Sequence, residues 1–452
     1  MNATPPGPSG AANGSQRPSH PVPAGMRDWL PQKARRRADA SERILRHIEL
    51  CGYQRVEVPP FEYAEVLERG FGNADDSLRF IEPETGKIAS LRSDVTPQIA
   101  RLISTRFADG PWPARLCYRD SVLRRRRARA RLDQNLLQVG FELAGPSAES
   151  GDLEVLETAT SALRASGLDE FTVDLAHAEV PGALLERLAP RARSDALECL
   201  AVKDSSQLAR VAAGANLDRK SAAALAELCE LHGGNEIWPR AERALADTPA
   251  EPAMRSLKRI WDAAVSSELA SHFVVDLGET REFYYYTGAM FHLLAEGPGE
   301  PLGSGGRYDT LFERFDLPCP AAGFAFDIGN VCWALEANGI TEQKSPRVLV
   351  GLPASGGRAA LLLRELRARG LACALGPEGA DGGAYGRQWD YTHVLDLKSG
   401  GVLRDLETGA EWRLSEALGG KIPEPMTQEA AARLAEVVST QVRVLEELIC
   451  PA

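Results

Sequence analysis

A chain of 452 residues with a formal net charge of −11 is too long for one ordinary domain of roughly 100–200 residues. It is also too acidic for general nucleic-acid affinity, which needs a basic surface. No stretch reaches the roughly 20 apolar residues that span a bilayer, and the eight scattered cysteines include no Cys-x-x-Cys pair, so neither a zinc framework nor a disulfide scaffold is indicated.

The first 25 residues, MNATPPGPSGAANGSQRPSHPVPAG, are rich in Pro, Gly and Ser and lack an apolar core. They read as a disordered tail rather than a signal peptide, and the protein is expected in the cytoplasm with reduced thiols. Periodicity over 38–51 puts Ile44, Leu45, Ile48 and Cys51 on one helical face. GYQRVEVPPFE (52–62) reads as a strand stopped by Pro59 and Pro60. Mixed patterns continue to about Val180, with strands such as LLQVGFELAG and FTVDLAH.

Residues 181–270 are rich in Ala, Leu, Glu and Arg at helical spacing and predict a helical insertion. Strands return at SHFVVDLG (271–278) and EFYYYTGAMFHLLA (282–295). GSGGRYD (303–309) then reads as a glycine-rich hairpin turn, before a last strand, AAGFAFDIG (321–329), that runs into the helix NVCWALEANG. Beyond the linker TEQKSP (341–346), residues 346–452 show a strand–helix–strand unit, a Gly-rich gap at 376–386, two more short strands and a final amphipathic helix.

Four segments carry polar residues of chemical interest. LRSDVTPQIAR (91–101) brings Asp94 and Thr96 to a helix start, where either also serves as an N-cap. In SVLRRRRARARLDQNLLQVGFE (121–142), six of the eight residues from Arg124 to Arg131 are arginine. Taken by itself, that run reads as a solvated hairpin tip. Gln138 and Glu142 follow on one strand face, inside the apolar run LLQVGFEL. Buried polar groups must find partners, so that pair suggests a lined cavity. REFYYYTGAMF (281–291) and GSGGRYD complete the set; the latter has no Gly-Lys-Ser/Thr of a phosphate loop.

In that order the segments resemble the class II aminoacyl-tRNA synthetase core, and histidyl-tRNA synthetase in particular, over about residues 26–335. GYQRVEVPPFE looks like motif 1, the dimer-forming strand, and RLCYRDSVLRRRRARARLDQNLLQVGFE aligns with motif 2. REFYYYTGAMF and GSGGRYDTL resemble the histidine-specific segments, and GFAFDIGNV sits where motif 3 belongs. The resemblance implies an α+β fold: an antiparallel sheet flanked by helices, a helical insertion at 181–270, and a shortened anticodon-binding-like α/β domain at 346–452. By the same resemblance, Asp94, Thr96, Arg124, Gln138, Glu142, Arg281, Tyr285 and Tyr286 form a histidine site. A carboxylate facing ammonium and imidazole, with tyrosine hydroxyls completing the contacts, is chemically consistent with it.

The ATP-handling positions depart from the synthetase pattern. Arg126 stands where glutamate is expected, and Leu132 and Asp133 interrupt the Gly-Arg-Tyr-Arg run. Motif 3 reads Asp327-Ile328-Gly329-Asn330, without its terminal arginine. Adenylyl transfer relies on cations placed at developing charge. The chain therefore resembles the regulatory-subunit family of ATP phosphoribosyltransferase, a non-catalytic paralogue of the synthetase. That resemblance implies histidine as ligand, no cofactor or metal, and allosteric feedback on histidine biosynthesis. It also implies assembly with the short-form catalytic subunit into a hetero-oligomer, expected as a hetero-octamer, and a homodimer through motif 1, with no membrane and no tRNA partner. The alternatives are a histidyl-tRNA synthetase with divergent motifs and a synthetase-like protein with another task.

Overall fold

The computed structural model describes residues 21–71, 77–124, 134–146, 148–266, 270–280, 286–340, 345–351, 357–377, 381–397, 401–417 and 426–449. Residues 1–20 of the tail expected at 1–25, the arginines at 125–131, and Arg281 and Tyr285 lie outside them. The chain divides into two compact units, Met1–Thr341 and Glu342–Ala452.

The first unit is organised on a nine-stranded sheet. Its order is Gln54–Arg55, Ala114–Leu123, Asn135–Ala144, Ala321–Asp327, Gly303–Arg307, Ala289–Leu294, Thr172–His177, Phe273–Asp276 and His232–Gly233. The sheet expected to be antiparallel is mixed. Gln54–Arg55 pairs in parallel with Leu116 and Cys117, and Phe273–Asp276 in parallel with Thr172–His177. Both are joined to their neighbours through long connections that contain helices, as parallel pairs require.

One sheet face packs on helices, including Pro31–Leu50, Ala148–Ala165 and Ile328–Ala337. Ile44, Leu45 and Ile48 of the first helix are fully buried there. The ring of Phe324 stacks on Phe291 at 4.9 Å and lies 6.4 Å from Phe141, across three strands. Such pairs add about 0.5–1.5 kcal/mol each beyond the area they bury. The opposite face is smaller in its apolar content and holds Tyr118, Met290, Tyr308, Ala176 and Tyr286.

Three elements of the first unit differ from the sequence expectation. Among the described residues, the strand expected over 282–295 is Ala289–Leu294, which leaves Tyr286 ahead of it. The motif 1-like strand shortens to Gln54–Arg55, and Phe61–Tyr63 joins a separate three-stranded sheet with Ile88–Leu91 and Arg79–Ile81. Pro59 and Pro60 cannot donate to a ladder, so the chain leaves one sheet and enters another there. GSGGRYD is no turn. Gly303–Arg307 is a central strand between Ala289–Leu294 and Ala321–Asp327. A Cβ at Gly303 or Gly305 would run into Phe324, and one at Gly306 into Met290. The glycines admit large neighbours on a strand rather than reverse the chain.

The insertion is helical from Glu179 to Ala264, apart from short 3₁₀ turns and the two-residue strand His232–Gly233. The second unit has a five-stranded sheet in the order Ala372–Leu375, Arg347–Gly351, His393–Asp396, Val402–Asp405, Glu411–Arg413. Three short strands, not two, follow its strand–helix–strand start, and Gly382–Gln388 inside the Gly-rich gap is a helix capped by Asp381. Helices Gly357–Ala368 and Gln428–Ile449 pack together over Val348, Leu362, Leu395 and Leu434. No helix among the described residues is long and apolar enough to cross a membrane, and the seven described cysteines are free.

Candidate functional site

On the face opposite the long helices, register brings a polar cluster together. Glu142 is paired with Leu116 on one side and Gly323 on the other. Its side chain is 2% exposed. Thr96 donates from its hydroxyl to Glu142 Oε1 at 2.7 Å, and Tyr118 donates to the same oxygen at 3.4 Å. The Tyr308 hydroxyl donates to Glu142 Oε2. Glycine makes the room: a Cβ at Gly323 would overlap both the Glu142 carboxylate and the Tyr308 hydroxyl, and one at Gly140 would overlap the Tyr118 ring. Burial pushes the Glu142 carboxyl well above the usual range, and the nearby Asp94 charge pushes the same way; the bonds from Thr96 and Tyr118 oppose them.

A second layer reaches solvent. The helix Thr96–Arg106 starts with Pro at its second residue, a position that needs no N–H donor. Asp94 Oδ1 accepts from the Thr96 amide at 3.0 Å, and its Oδ2 pairs with Arg124 Nη2 at 2.8 Å. Thr96 is thus not a cap: it is the first helical residue, and its hydroxyl serves Glu142. Arg124 also donates to the Ser93 carbonyl at 2.7 Å, while its own amide bonds Gln134 at the base of the arginine-rich segment. A continuous chain of contacts therefore runs Arg124–Asp94–Thr96–Glu142.

Gln138, 5% exposed, lies four residues back on the same strand face, in register between Asp120 and Asp327. Its Oε1 is buried with no hydrogen-bond partner among the described residues. An acceptor so placed is costly unless a donor reaches it. Tyr286, 8% exposed, belongs to the same cluster as Tyr308. The structure thus brings Asp94, Thr96, Arg124, Gln138, Glu142 and Tyr286 to one sheet face.

Three residues outside the expected set matter here. Tyr118 and Tyr308 complete the shell around Glu142; the first is signalled only by strand register, the second by its place after the glycines. Arg92, 5% exposed, donates to the carbonyls of Val58 at 3.0 Å, Pro59 at 3.1 Å and Ser121 at 2.8 Å, and to Asp120 at 2.7 Å. Its rigid fork ties the proline segment to the sheet.

The motif 3 end is built differently. Asp327 Oδ1 accepts from the amides of Gly329 at 2.8 Å and Asn330 at 3.3 Å, capping the helix Ile328–Ala337. Asn330, 3% exposed, donates from Nδ2 to the Pro301 carbonyl at 2.8 Å. Position 330 therefore points into packing. Among the described residues, one group could hold a metal ion: Asp174, Glu279 and His292, all buried, with ligand atoms within 4.8 Å of one another. Glu279 already accepts from the Thr280 amide at 2.7 Å.

Known proteins share this fold. A family model described as histidyl-tRNA synthetase matches residues 25–331. The chain is 32% identical over 388 residues to the ATP phosphoribosyltransferase regulatory subunit of Syntrophotalea carbinolica, covering 84% of this chain and 90% of that one. It is 40% identical over 331 residues to the protein of that name from Anaeromyxobacter sp. (strain Fw109-5), covering 70% and 94%. A crystal structure of an ATP phosphoribosyltransferase regulatory subunit/histidyl-tRNA synthetase from Bacillus halodurans C matches with a TM-score of 0.72 at 26% identity, covering 83% and 97%. Histidyl-tRNA synthetase from Nostoc sp. PCC 7120 matches at 0.71 with 17% identity, covering 89% and 99%, a likeness of fold alone. The fold is histidyl-tRNA synthetase-like, with a large mixed sheet flanked by helices and a C-terminal sheet domain.

Proposed function

Because the chain belongs to the family of ATP phosphoribosyltransferase regulatory subunits, on a histidyl-tRNA synthetase-like fold, we propose that it is a non-catalytic subunit that binds free histidine and reports it to a short-form catalytic subunit. The observation that carries this reading is a contrast between two positions. On the open sheet face a buried carboxylate is framed by three hydroxyls; at the motif 3 position, in the helix Ile328–Ala337, stands a buried, hydrogen-bonded asparagine.

Histidine enters with its imidazole toward Glu142, Tyr308 and Tyr286, where a ring with two distinct nitrogens meets both a carboxylate and hydroxyls. Its ammonium meets Asp94, Thr96 and the open acceptor of Gln138, and its carboxylate meets Arg124 and Arg281, with Tyr285 completing the pocket. Adenylation would need a cation at the motif 3 position, and Asn330 offers none. Feedback requires only that histidine favour one quaternary state of the hetero-oligomer, expected as a hetero-octamer resting on a homodimer through the motif 1-like region.

Calorimetry with histidine, pyrophosphate exchange with histidine and ATP, and reconstitution with a short-form catalytic subunit test this reading. The expected results are binding, no exchange, and catalytic activity that becomes histidine-sensitive. Robust exchange would overturn it in favour of a synthetase. Charge reversal of Arg125, Arg126 and Arg129 is expected to weaken assembly or activation; intact assembly and activation would make the run a solvated tip.

A further inference from the structure

Adjacent residues on a strand point to opposite sheet faces. Tyr308 reaches Glu142 on the open face; Arg307, one residue earlier, turns to the helix-packed face. There Arg307 is 4% exposed and Asp152, on the helix Ala148–Ala165, is 7% exposed. Arg307 Nε and Nη2 both lie 2.7 Å from Asp152 Oδ1, and Nη1 lies 2.9 Å from Asp309 Oδ1. Two glycines make the channel for this side chain. A Cβ at Gly288 would meet Arg307 Cδ at 2.9 Å, and one at Gly151 would meet Nη2 at 3.0 Å.

The same residues hold both tyrosines of the site. The Thr287 amide donates to the Arg307 carbonyl at 2.7 Å, and the Asp309 amide donates to the Thr287 hydroxyl at 2.9 Å. Thr287 directly follows Tyr286. The Asp309 carboxylate accepts from the Ala321 amide at 3.0 Å, and the Tyr308 amide bonds the Ala321 carbonyl at 2.9 Å. Tyr308 thus sits between two residues tied to the far side of the sheet.

We propose that Arg307, clamped by Asp152 and Asp309 behind the sheet, is the positioning residue that sets Tyr286 and Tyr308 in the histidine site on its front. The inference rests on the histidine-binding reading. A buried ion pair with one partner removed leaves an uncompensated charge, so the clamp resists displacement. The groups facing Asp152 are Arg307, Asp309 and Glu149; burial holds its carboxyl up at about 6, against the pull of Arg307. His177, nearby, is held down at about 4 by burial and by the Arg307 charge, and stays neutral above that.

The test is a double-mutant cycle on the full chain with histidine calorimetry, using Asp152→Asn, Tyr308→Phe and both. The expected result is an affinity loss of at least fivefold for D152N, with the double variant losing clearly less than the sum of the two single losses. The gap between wild type and D152N should also close below about pH 6, because protonation of Asp152 then does what Asn does; taking the difference cancels the ligand's own titration. Unchanged affinity in D152N, or strictly additive losses, would overturn the proposal. Arg307→Lys, which keeps the charge and loses the fork, replaces D152N in the cycle if D152N does not fold. Wild-type protein that binds no histidine overturns this inference together with the reading beneath it. Wild-type binding with D152N unaffected overturns the inference alone.

Discussion

The two ends of the open sheet face use carboxylates for opposite purposes. Glu142 is surrounded by hydroxyl donors, and burial raises its proton affinity. Asp327, three strand positions from Phe324 and in register with Gln138, spends its oxygen on two backbone amides of the helix it caps. A carboxylate whose partners are side-chain hydroxyls can exchange them for a ligand. One whose partners are helix amides cannot, without fraying the helix. The difference teaches that a buried carboxylate is available to a ligand only when its partners are replaceable.

The sharpest way to break that comparison is Glu142→Ala, expected to weaken histidine binding by about 1–3 kcal/mol. Calorimetry that finds unchanged affinity would put the ligand elsewhere. The same residue makes a pH prediction. Its folded proton affinity lies above the unfolded value, so the native state binds more protons over that window, and stability falls as pH rises through it. The ligand-free melting temperature of wild type should therefore decline with rising pH more steeply than that of Glu142→Gln. Equal slopes would show that Glu142 does not carry the titration.

At the other end, Asn330→Arg is expected to cost about 1–3 kcal/mol of stability by overpacking a buried site. It is expected to yield no pyrophosphate exchange, because the side chain points at Pro301. Exchange gained by this one substitution would mean that the side chain at position 330 does not stay in the packing against Pro301. The smallest effect is that of Asp327→Ala: about 1 kcal/mol from the lost cap, read as a lower melting temperature with histidine affinity within twofold of wild type. A larger loss of affinity would make Asp327 part of the binding site.

Much of this was legible in the sequence. The pairing of Gln138 with Glu142 follows from strand alternation, and the loss of the motif 3 arginine at Asn330 is visible as a letter. Strand and helix types in the first unit follow from periodicity, as at 38–51 and 321–337. What misled was glycine. GSGGRYD carries the composition of a turn, and composition reports only that a Cβ is absent. It does not report whether that absence serves a reversed chain or the approach of Phe324 and Met290 to a central strand. The extent of the motif 1-like strand was equally hidden, because the prolines show where pairing stops and not which sheet takes over.

Sequence alone determined which polar residues fall in the motif-like segments and the family that carries them, since those are set by order and spacing along the chain. Only the tertiary structure decided which hydroxyls reach Glu142. Tyr118 and Tyr308 are 190 positions apart and meet through the register of four strands. It also decided that Arg307 turns away from the site it belongs to by sequence and grips Asp152 behind the sheet. Register and face are properties of pairing between distant segments, and no local pattern encodes a contact whose partner has not yet been placed.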